Sequence, residues 1–422
     1  MKITLVSTFE NLGGASIAAV RLHKSLLNKG IESRMLVHIP SQNNEKVFPL
    51  SNHFLQKKIS FLRFSIDRLL FIPFEKSKSV RFAFSPANVG VDISDHPLIK
   101  DADIIHLHWI NFGFLSLKSL QKIFALNKPV LWTFHDMWAA TGGCHSSKGC
   151  KNYLTHCQNC PMLAHPSNHD LSWKVFEKKI NVFRNKPFSI VTCSNWLNGV
   201  IRTSALLGNF SIQTIHNPID LLFFQSIKKS DARKNLNLSE NKKLILYGAA
   251  NASDPSKGFN YLQKALDILK NDNKKELNEI ELVIFGKADE VIVSEFPIKV
   301  TLLGKLSSKE LINAYSACDI IALPYVEDNL PNIASEALAC HLPVVAFRAG
   351  GLPDMIDHME NGYLAEAFSI EDLYNGLITI LYSENYEEIQ MAARRKAEKA
   401  FSENLNTEKY IQVYQKLLKK NE

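Results

Sequence analysis

Short buried strand-like runs that alternate with helical patterns constrain the fold of this chain more than any other feature. The runs are nearly continuous in apolar residues, as in parallel strands that are covered on both faces. They lie at 2–8, 33–39, 103–109, 129–134, 189–194, 243–249, 281–286, 300–305, 319–325 and 343–347. Because helical stretches separate most of them, the pattern predicts an α/β fold of doubly wound parallel sheets.

The alternation occurs twice, so the sequence predicts two main domains. A polar connector rich in Lys and Asn, 225–243, separates the two sets of strands. We expect a Rossmann-like N-terminal domain over residues 1–218 and a second Rossmann-like domain over residues 219–400. Residues 401–422 are expected to form a C-terminal helix.

Helical spacing of apolar residues supports that C-terminal helix. One stripe consists of Tyr410, Val413, Tyr414, Leu417 and Leu418. A helix with one apolar stripe needs a surface on which to bury it, so we expect it to pack back on the N-terminal domain.

Charge and targeting signals restrict the partners. The chain has 422 residues and a formal net charge of +7, which suits an anionic small molecule, a membrane surface or a nucleic acid. The alternative is an ordinary soluble surface. Its basic residues are spread out and no nucleic-acid-binding module appears, so we expect no nucleic-acid partner. The N-terminal sequence is not a secretory signal and no run of 18 apolar residues occurs. We therefore expect a cytoplasmic protein, in which cysteines stay reduced.

One segment, FLQKKISFLRFSIDRLLF at 54–71, interrupts the alternation with a helical pattern. One predicted face consists of Leu55, Ile59, Leu62, Ile66 and Leu69, and the opposite face of Lys57, Phe61, Phe64 and Arg68. Aromatic and basic side chains on an outward face predict a helix at a membrane interface. The alternative is a helix buried on both sides with two surface cations.

Gly13 and Gly14 lie between the first strand and the following helix. Glycines at this place let the backbone approach a ligand, and the helix N-terminus beyond them favours an anion such as phosphate. The dinucleotide fingerprint G-x-G-x-x-G is absent, so a simple tight turn remains the alternative.

The stretch VEDNLPNIASEALACHLPVVAFRAGGLPDMI, 326–356, combines two carboxylates with a glycine pair. Asp328 follows a strand, where ligands bind in open α/β sheets. Pro331 suits the first turn of a helix that carries Glu336, whose carboxylate can accept hydrogen bonds from two neighbouring hydroxyls. We expect these carboxylates and the glycine turn to converge on a sugar and a phosphate.

These motifs together resemble the GT-B glycosyltransferases of family GT4, which are retaining and use nucleotide sugars. The resemblance covers nearly the whole chain and is most specific over 319–357, which is similar to the family's E-x7-E region. TFHD at 133–136, HNPID at 216–220 and the pair Lys257-Gly258 agree with it. The resemblance implies two Rossmann-like domains that face each other across a cleft.

The resemblance also implies roles for donor-binding residues. Glu336 would bind the ribose hydroxyls of the nucleotide, and Asp328 would contact hydroxyls of the donor sugar. The backbone of Asn329 and Leu330 would help to hold the sugar and the diphosphate.

The resemblance implies further roles at the diphosphate and at the transferred sugar. Gly13 and Gly14 would contact the diphosphate through their backbone, and Lys257 would neutralise it. His135, at the end of a strand, would lie beside the transferred sugar. Taken alone, such a histidine is more often a buried residue with satisfied hydrogen bonds.

Two departures from the family pattern affect the same site. The first acidic position is Asp328, where the family usually has Glu, and the neighbouring Glu327 is the alternative. An arginine usually follows the first strand of the second domain, but here Ala249–Ala250 occupy that place. Arg348 or Lys305 would have to supply the missing cation.

The resemblance implies a retaining transferase that moves a sugar from a nucleotide-sugar donor to a growing, lipid-linked surface polysaccharide, with no catalytic metal. The proposed same-face mechanism needs no protein nucleophile. One alternative is a nucleotide-sugar epimerase of the same architecture, which would need no acceptor. Another is a non-catalytic member that only binds nucleotide sugars.

A cysteine-rich stretch at 135–160 directly follows the predicted strand at 129–134. Its C-x5-C-x6-C-x2-C spacing is formed by Cys144, Cys150, Cys157 and Cys160. Four thiolates could hold a structural zinc ion, and His145 or His156 could replace one of them. Reduced free thiols and disulfides are the alternatives. In each case we expect a loop on the acceptor side that needs an internal fastener.

Overall fold

The computed structural model divides into two compact units. The first comprises Met1–Pro218 and Asn406–Glu422, and the second comprises Ile219–Leu405. The structure describes residues 1–40, 44–50, 54–185, 188–251, 254–272, 278–288 and 296–419. Each unit is built around a sheet whose described strand pairs are all parallel.

The sheet of the first unit has seven strands in the described part of the chain, in the order β3-β2-β1-β4-β5-β6-β7. They are β1 Lys2–Phe9, β2 Glu32–Ile39, β3 Val47–Pro49, β4 Ile104–Leu107, β5 Val130–Phe134, β6 Ser189–Thr192 and β7 Ile212–Thr214. The helices of this unit are α1 Gly14–Asn28, α2 Phe54–Leu69, α3 Pro97–Lys100, α4 Leu117–Phe124, α5 Leu171–Phe183 and α6 Asn195–Thr203.

The sheet of the second unit has six described strands in the order β10-β9-β8-β11-β12-β13. They are β8 Lys243–Asn251, β9 Ile280–Lys287, β10 Lys299–Gly304, β11 Ile320–Leu323, β12 Val344–Phe347 and β13 Gly362–Ala365. The helices are α7 Lys229–Asn235, α8 Phe259–Asp272, α9 Ser308–Ala317, α10 Asn332–Ala339, α11 Leu352–Met355, α12 Ile370–Leu381 and α13 Tyr386–Phe401. In both sheets the strand order reverses direction beside the first strand, which is the switch point of doubly wound folds.

Side-chain caps fix where several helices begin, because they satisfy backbone N–H groups that have no partner within the helix. Ser116 and Ser307 cap α4 and α9 with reciprocal capping boxes. Asp170, Ser194 and Ser369 accept hydrogen bonds from the first turns of α5, α6 and α12. These residues precede apolar periodic runs, so the sequence itself sets the helix boundaries.

The last helix, α14 Glu403–Lys419, packs on the sheet of the first unit. Tyr410 and Tyr414 are buried together with core residues of β1 and β2. Thr407 also hydrogen bonds to Ser25 of α1 at 2.7 Å. The apolar stripe of this helix therefore becomes part of the core of the first unit.

All ten runs that the sequence predicts as strands coincide with strands of the structure. Three strands were missed: β3, β7 and β13, with three or four residues each. All three are outer strands, and three or four residues are too few for a strand-like run to stand out in the sequence. The fourth outer strand, β10, has six residues and was predicted. The polar connector 225–243 contains the short helix α7.

The helix α2 is confirmed, and Phe61 of the predicted outward face is 67% exposed, but the expected burial of the apolar stripe and the outward position of Arg68 are wrong. Its apolar stripe points outward: Ile59 is 44% exposed, Leu62 55% and Leu69 61%. Arg68, predicted on the outward face, is 4% exposed. The side chains of Leu55 and Lys57 lie outside the described residues.

Polar pairing explains why Arg68 lies inside. Its guanidinium donates to the carboxylate of Asp67 and to the backbone carbonyls of Arg81 and Phe84. A buried charge is tolerated when it is paired and hydrogen bonded. The helix therefore turns its Asp67–Arg68 side inward and exposes apolar side chains, a choice that periodicity alone does not predict.

None of the described helices is long and apolar enough to cross a bilayer.

Candidate active site

The carboxyl edge of the second sheet brings Lys257 next to Asp328. Lys257 ends a short 3-10 turn after β8, and Gly258 follows with φ +66°. A Cβ atom at Gly258 would lie 1.8 Å from the carbonyl oxygen of Pro324, so only glycine allows the turn to pack against the end of β11. A backbone hydrogen bond from Val326 to Ser256 joins the same two loops.

Lys257 is held by a carboxylate and an aromatic ring. Its ammonium nitrogen lies 2.6 Å from Oδ2 of Asp328 and 4.3 Å from the ring centroid of Tyr325. The Tyr325 hydroxyl in turn donates to the carbonyl of Gly248. Both charged side chains remain about a quarter exposed. The arrangement presents an oriented cation at the sheet edge where ligands of open α/β sheets bind.

The glycine turn after β12 packs on the backbone of Asp328. Gly350 has φ +58°, and a Cβ atom there would lie 2.1 Å from the Asp328 carbonyl oxygen. The amide of Gly351 donates to that same oxygen at 2.9 Å. The structure thus brings together the acidic loop and the glycine turn, two features that the sequence places 22 residues apart.

Glu336 lies on α10 and is 6% exposed. The hydroxyl of Tyr315, at the end of α9, donates to its Oε2 atom at 2.8 Å. A carboxylate can accept further hydrogen bonds, so this contact orients Glu336 without exhausting its acceptors. Asn329 and Leu330, in the preceding loop, are 9% and 7% exposed. Pro331 immediately precedes α10, so the prediction that it forms part of the first turn is wrong by one residue.

Of the two cations proposed to replace the absent arginine, Arg348 is the better placed. It directly follows β12, the neighbour of β11, and its side chain is exposed. Lys305 is also exposed, but it follows β10, which β9 and β8 separate from β11. Asp328 follows β11 and Arg348 follows the neighbouring strand β12, so the two residues leave adjacent strand ends.

In the first unit, Gly13 precedes α1 with φ +85°. No atom lies within 4 Å of a Cβ built at Gly13, so its positive φ, rather than crowding, is what requires glycine. The carbonyl of Gly13 accepts the amide of Ile17 at 3.2 Å. Gly14 is the first residue of the helix, so the pair forms the N-terminus of α1, where an anion is stabilised.

His135 follows β5, and both of its ring nitrogens meet protein groups. Nε2 lies 3.0 Å from Nδ1 of His108, and Nδ1 lies 3.4 Å from the Cys193 sulfur. The Cys193 thiol also points at the Phe134 carbonyl. Burial lowers the pKa of His135 to about 4, although Asp136 opposes the shift. The imidazole is therefore neutral at physiological pH.

Asp136 organises the loop after β5, a role that sequence reasoning missed. It accepts hydrogen bonds from the Trp109 indole, the His145 ring and the Trp138 amide, at 2.7–2.8 Å. Burial raises the pKa of Asp136, but His145 and these donors outweigh that effect and leave the pKa below its usual value. The only sequence feature that could have indicated this role of Asp136 is its position next to His135. Tyr315 and Tyr325 carried no sequence signal.

The four clustered cysteines are free thiols in the first unit and line one cavity. Burial raises the pKa of Cys157 to about 12 and that of Cys160 to about 11. The two neighbouring histidines are paired elsewhere: His145 with Asp136, and His156 with Glu177 at 2.8 Å. The suggestion that one of them replaces a cysteine as a metal ligand finds no support in these contacts.

Comparisons with known proteins agree with this architecture. The model of Glycosyltransferase Family 4 matches residues 12–223, and that of Glycosyl transferases group 1 matches residues 228–400. WcaC of Escherichia coli, provisionally named a colanic acid biosynthesis glycosyl transferase, is 22% identical over 79% of this chain and 80% of its own length.

Two solved structures show the same fold across almost the full length. Sucrose-phosphate synthase from Thermosynechococcus elongatus has a TM-score of 0.69 at 18% identity, over 99% of both chains. HepE from Anabaena, in complex with UDP-glucose, has a TM-score of 0.64 at 16% identity, over 99% of this chain and 100% of that chain.

Two parallel α/β units with these structural relatives define a glycosyltransferase of the GT-B fold, as the sequence predicts. The family models cover both units and identify the family more closely. The chain belongs to glycosyltransferase family 4 and is a glycosyltransferase enzyme.

Proposed function

We propose that this enzyme transfers a sugar from a nucleotide-sugar donor to a growing lipid-linked polysaccharide, with retention of anomeric configuration. The contact of Lys257 with Asp328 beside Gly350–Gly351 carries the proposal. It places a cation, a carboxylate and backbone amides at one sheet edge, which is the chemistry needed for a phosphate and a sugar hydroxyl. HepE, which has the same fold, was solved with UDP-glucose, and this favours a uridine nucleotide as the first donor to test.

In the proposed reaction, the bond between the anomeric carbon and the phosphate oxygen breaks. Negative charge then grows on the leaving diphosphate, and the positive charge of Lys257 stabilises it. The guanidinium of Arg348 acts on the same charge, and the N-terminus of α1 at Gly13–Gly14 is the anion-binding feature of the first unit. An acceptor hydroxyl attacks the same face of the sugar, and its proton passes to the leaving phosphate oxygen. No protein nucleophile and no catalytic metal take part.

The remaining residues bind and orient the donor. Glu336, held by Tyr315, accepts hydrogen bonds from the ribose hydroxyls. Asp328 orients hydroxyls of the donor sugar, and the backbone of Asn329 and Leu330 lines the same place. His135, in the first unit, is a neutral imidazole and so adds no positive charge that would oppose positive character at an anomeric carbon.

A polymer-building role is supported by the similarity to WcaC, whose name refers to colanic acid biosynthesis. The lipid-linked acceptor is supported by an exposed apolar surface on the first unit. This outer apolar surface consists of Ile59, Phe61, Leu62, Ile66, Leu69, Leu70, Ile72, Phe74 and Phe82, each at least 36% exposed.

Several features make this surface suit a membrane. The rings of Phe61 and Phe82 both stack on Phe64, so the aromatic part is continuous. Lys76 and Lys78 follow it in sequence and are exposed. Apolar and aromatic side chains flanked by lysines are typical of peripheral binding to anionic lipid. The proposed location is therefore the inner face of the membrane.

The test is a transfer assay with a panel of nucleotide sugars, in the presence and absence of lipid extract that contains acceptor. We expect one donor to raise the melting temperature and to be consumed only when acceptor is present. At 100 times its dissociation constant, a ligand stabilises the folded state by about 2.7 kcal/mol. Glu336→Ala is expected to abolish donor binding.

Donor conversion without acceptor would instead indicate an epimerase. Donor binding with no turnover for any lipid extract would indicate a member that only binds. Near-normal donor affinity in Glu336→Ala would contradict the assigned nucleotide site.

A further inference from the structure

The cysteine cluster of the first unit has the features of a built site, and the proposed transfer reaction makes no use of it. A single cavity is lined by all four cysteines of the stretch together with Phe84, Gly142 and Met162. The four are Cys144, Cys150, Cys157 and Cys160. Cys157 and Cys160 are buried, and the other two are partly buried.

The backbone adopts the uncommon positive-φ conformation next to three of these cysteines. The residues immediately before Cys144, Cys150 and Cys160 all have positive φ: Gly143 at 133°, Gly149 at 84° and Asn159 at 46°. Positive φ is uncommon outside glycine and marks a locally imposed turn. Three such turns in one short segment orient the side chains that follow them.

Backbone amides point at two of the sulfurs. The amide of Gly142 lies 3.1 Å from the Cys157 sulfur, and a Cβ atom at Gly142 would lie only 2.7 Å from Cβ of Cys157. Backbone hydrogen bonds from Met162 and Leu163 act on the Cys160 thiol. Amide donors stabilise a negatively charged sulfur far more than a neutral thiol.

A buried lysine lies beside the same sulfurs. Lys179 is 0% exposed, and its side-chain nitrogen donates to the carbonyls of Trp138 and Thr141. Burial lowers the pKa of Lys179 to about 7, and Cys157, Cys144 and Asp136 oppose that shift. Four thiolates around a divalent cation would carry a net charge of −2, which would add to the negative charge of Asp136 near this lysine.

We propose that Cys144, Cys150, Cys157 and Cys160 bind one Zn²⁺ ion as a tetrahedral structural site. Binding releases four thiol protons and forms four Zn–S bonds of about 2.3 Å. No three His, Cys, Asp or Glu side chains of the described residues already have metal-binding geometry. The thiols must therefore rotate toward one point in the cavity when the ion binds.

The ion fastens the long segment between β5 and α5. That segment includes Asp136 and His145, whose contact at 2.7 Å anchors the loop beside His135. The segment contains only two short 3-10 turns between β5 and α5. A long loop with little regular structure needs such a cross-link, and the role is independent of the transfer chemistry.

The test begins with elemental analysis of the full-length chain, purified under reducing conditions without chelator. We expect about one zinc per chain, released in step with four thiols during titration with a mercurial reagent. Intact-mass measurement under denaturing, non-reducing conditions should show no disulfide. Removing zinc with a chelator should lower the melting temperature, and adding zinc should restore it.

Matched variants locate the ion. Cys157→Ser with Cys160→Ser should lose the zinc, whereas Cys318→Ser with Cys340→Ser, buried cysteines of the second unit, should retain it. If the first pair does not fold, the metal content and thiol titration of the unaltered chain decide. A chain that stays free of zinc after incubation with zinc and reductant would overturn the proposal. So would disulfides in the cluster, iron with sulfide instead of zinc, or zinc retained by the Cys157 and Cys160 variant.

Discussion

The Lys257 ammonium nitrogen lies 2.6 Å from Oδ2 of Asp328, across two loops that leave neighbouring strands of the second sheet. Seventy-one residues separate the pair in sequence. The contact holds the cation in place before a phosphate arrives, so less side-chain ordering remains to be done on binding.

Removal of that cation should slow transfer much more than it destabilises the protein. For Lys257→Met we expect kcat/KM to fall by roughly 10²-fold or more, as when one donor to a developing anion is lost. Lys270→Met, at an exposed position of α8 in the same unit, is the matched control and should leave kcat/KM unchanged. Steady-state kinetics with varied donor measure both, and activity of Lys257→Met within twofold of the unaltered enzyme would refute the assignment.

Gly350→Ala and Gly304→Ala separate backbone strain from crowding. Both positions have positive φ, 58° and 66°, and this conformation alone costs each alanine about 1 kcal/mol of stability. Only Gly350 also has a neighbour in the way, the Asp328 carbonyl at 2.1 Å, whereas Gly304 has no atom within 4 Å. We therefore expect Gly350→Ala alone to weaken donor binding, as measured by calorimetry. Equal donor affinity in the two variants would show that the Asp328 loop does not depend on the glycine turn.

Tyr315→Phe tests the orientation of Glu336. The substitution keeps the buried ring and removes the hydroxyl that donates to Oε2 at 2.8 Å. A hydrogen bond to a charged group contributes about 1.5–3 kcal/mol, so nucleotide affinity should fall by roughly 10-fold or more. Tyr261→Phe, on α8, is the control and should bind normally. An unchanged dissociation constant for UDP in Tyr315→Phe would argue against Glu336 as the ribose ligand.

The first unit should lose stability in mild acid because it buries neutral histidines. Burial lowers the pKa of His38 to about 4, with help from Arg63, and lowers the pKa of His106 to about 3. Between these values and the unfolded value near 6.5, the unfolded chain binds more protons. The stability that the two neutral histidines contribute is therefore present above pH 6.5 and is lost as the pH falls toward 4. For His38, the loss in free energy of unfolding is on the order of 3 kcal/mol.

Denaturant unfolding followed from pH 7.5 to 4.5 measures this effect. His38→Gln should make the dependence on pH shallower, whereas His165→Gln, at an exposed position, should not change it. An identical slope in His38→Gln and the unaltered protein would contradict the burial of a neutral imidazole.

The outer apolar surface should control membrane binding. Leu62→Ser with Leu69→Ser removes two of its most exposed side chains, at 55% and 61%, and should reduce sedimentation with vesicles that contain anionic lipid several-fold. Leu222→Ser changes a leucine of the second unit that is 83% exposed and should have no effect. Binding that is equally strong in both variants would exclude this surface as the membrane contact.

The sequence by itself determined the fold class, because strands buried on both faces leave short, nearly continuous apolar runs that alternate with helical patterns. It also identified the motifs around Asp328 and Glu336, since loop and helix signals are local. The edge strands β3, β7 and β13 escaped detection because runs of three or four residues are too short to show a strand pattern. The outward stripe of α2 escaped it too, because periodicity defines two faces without saying which one is buried.

Only the tertiary structure decided which groups meet. The contacts of Lys257 with Asp328, of Tyr315 with Glu336, and of His135 with His108 join segments far apart in sequence. Such contacts depend on strand order and loop packing, which composition and local spacing do not encode. The inward turn of Arg68 has the same origin, because its partners Arg81 and Phe84 become neighbours only after the chain has folded.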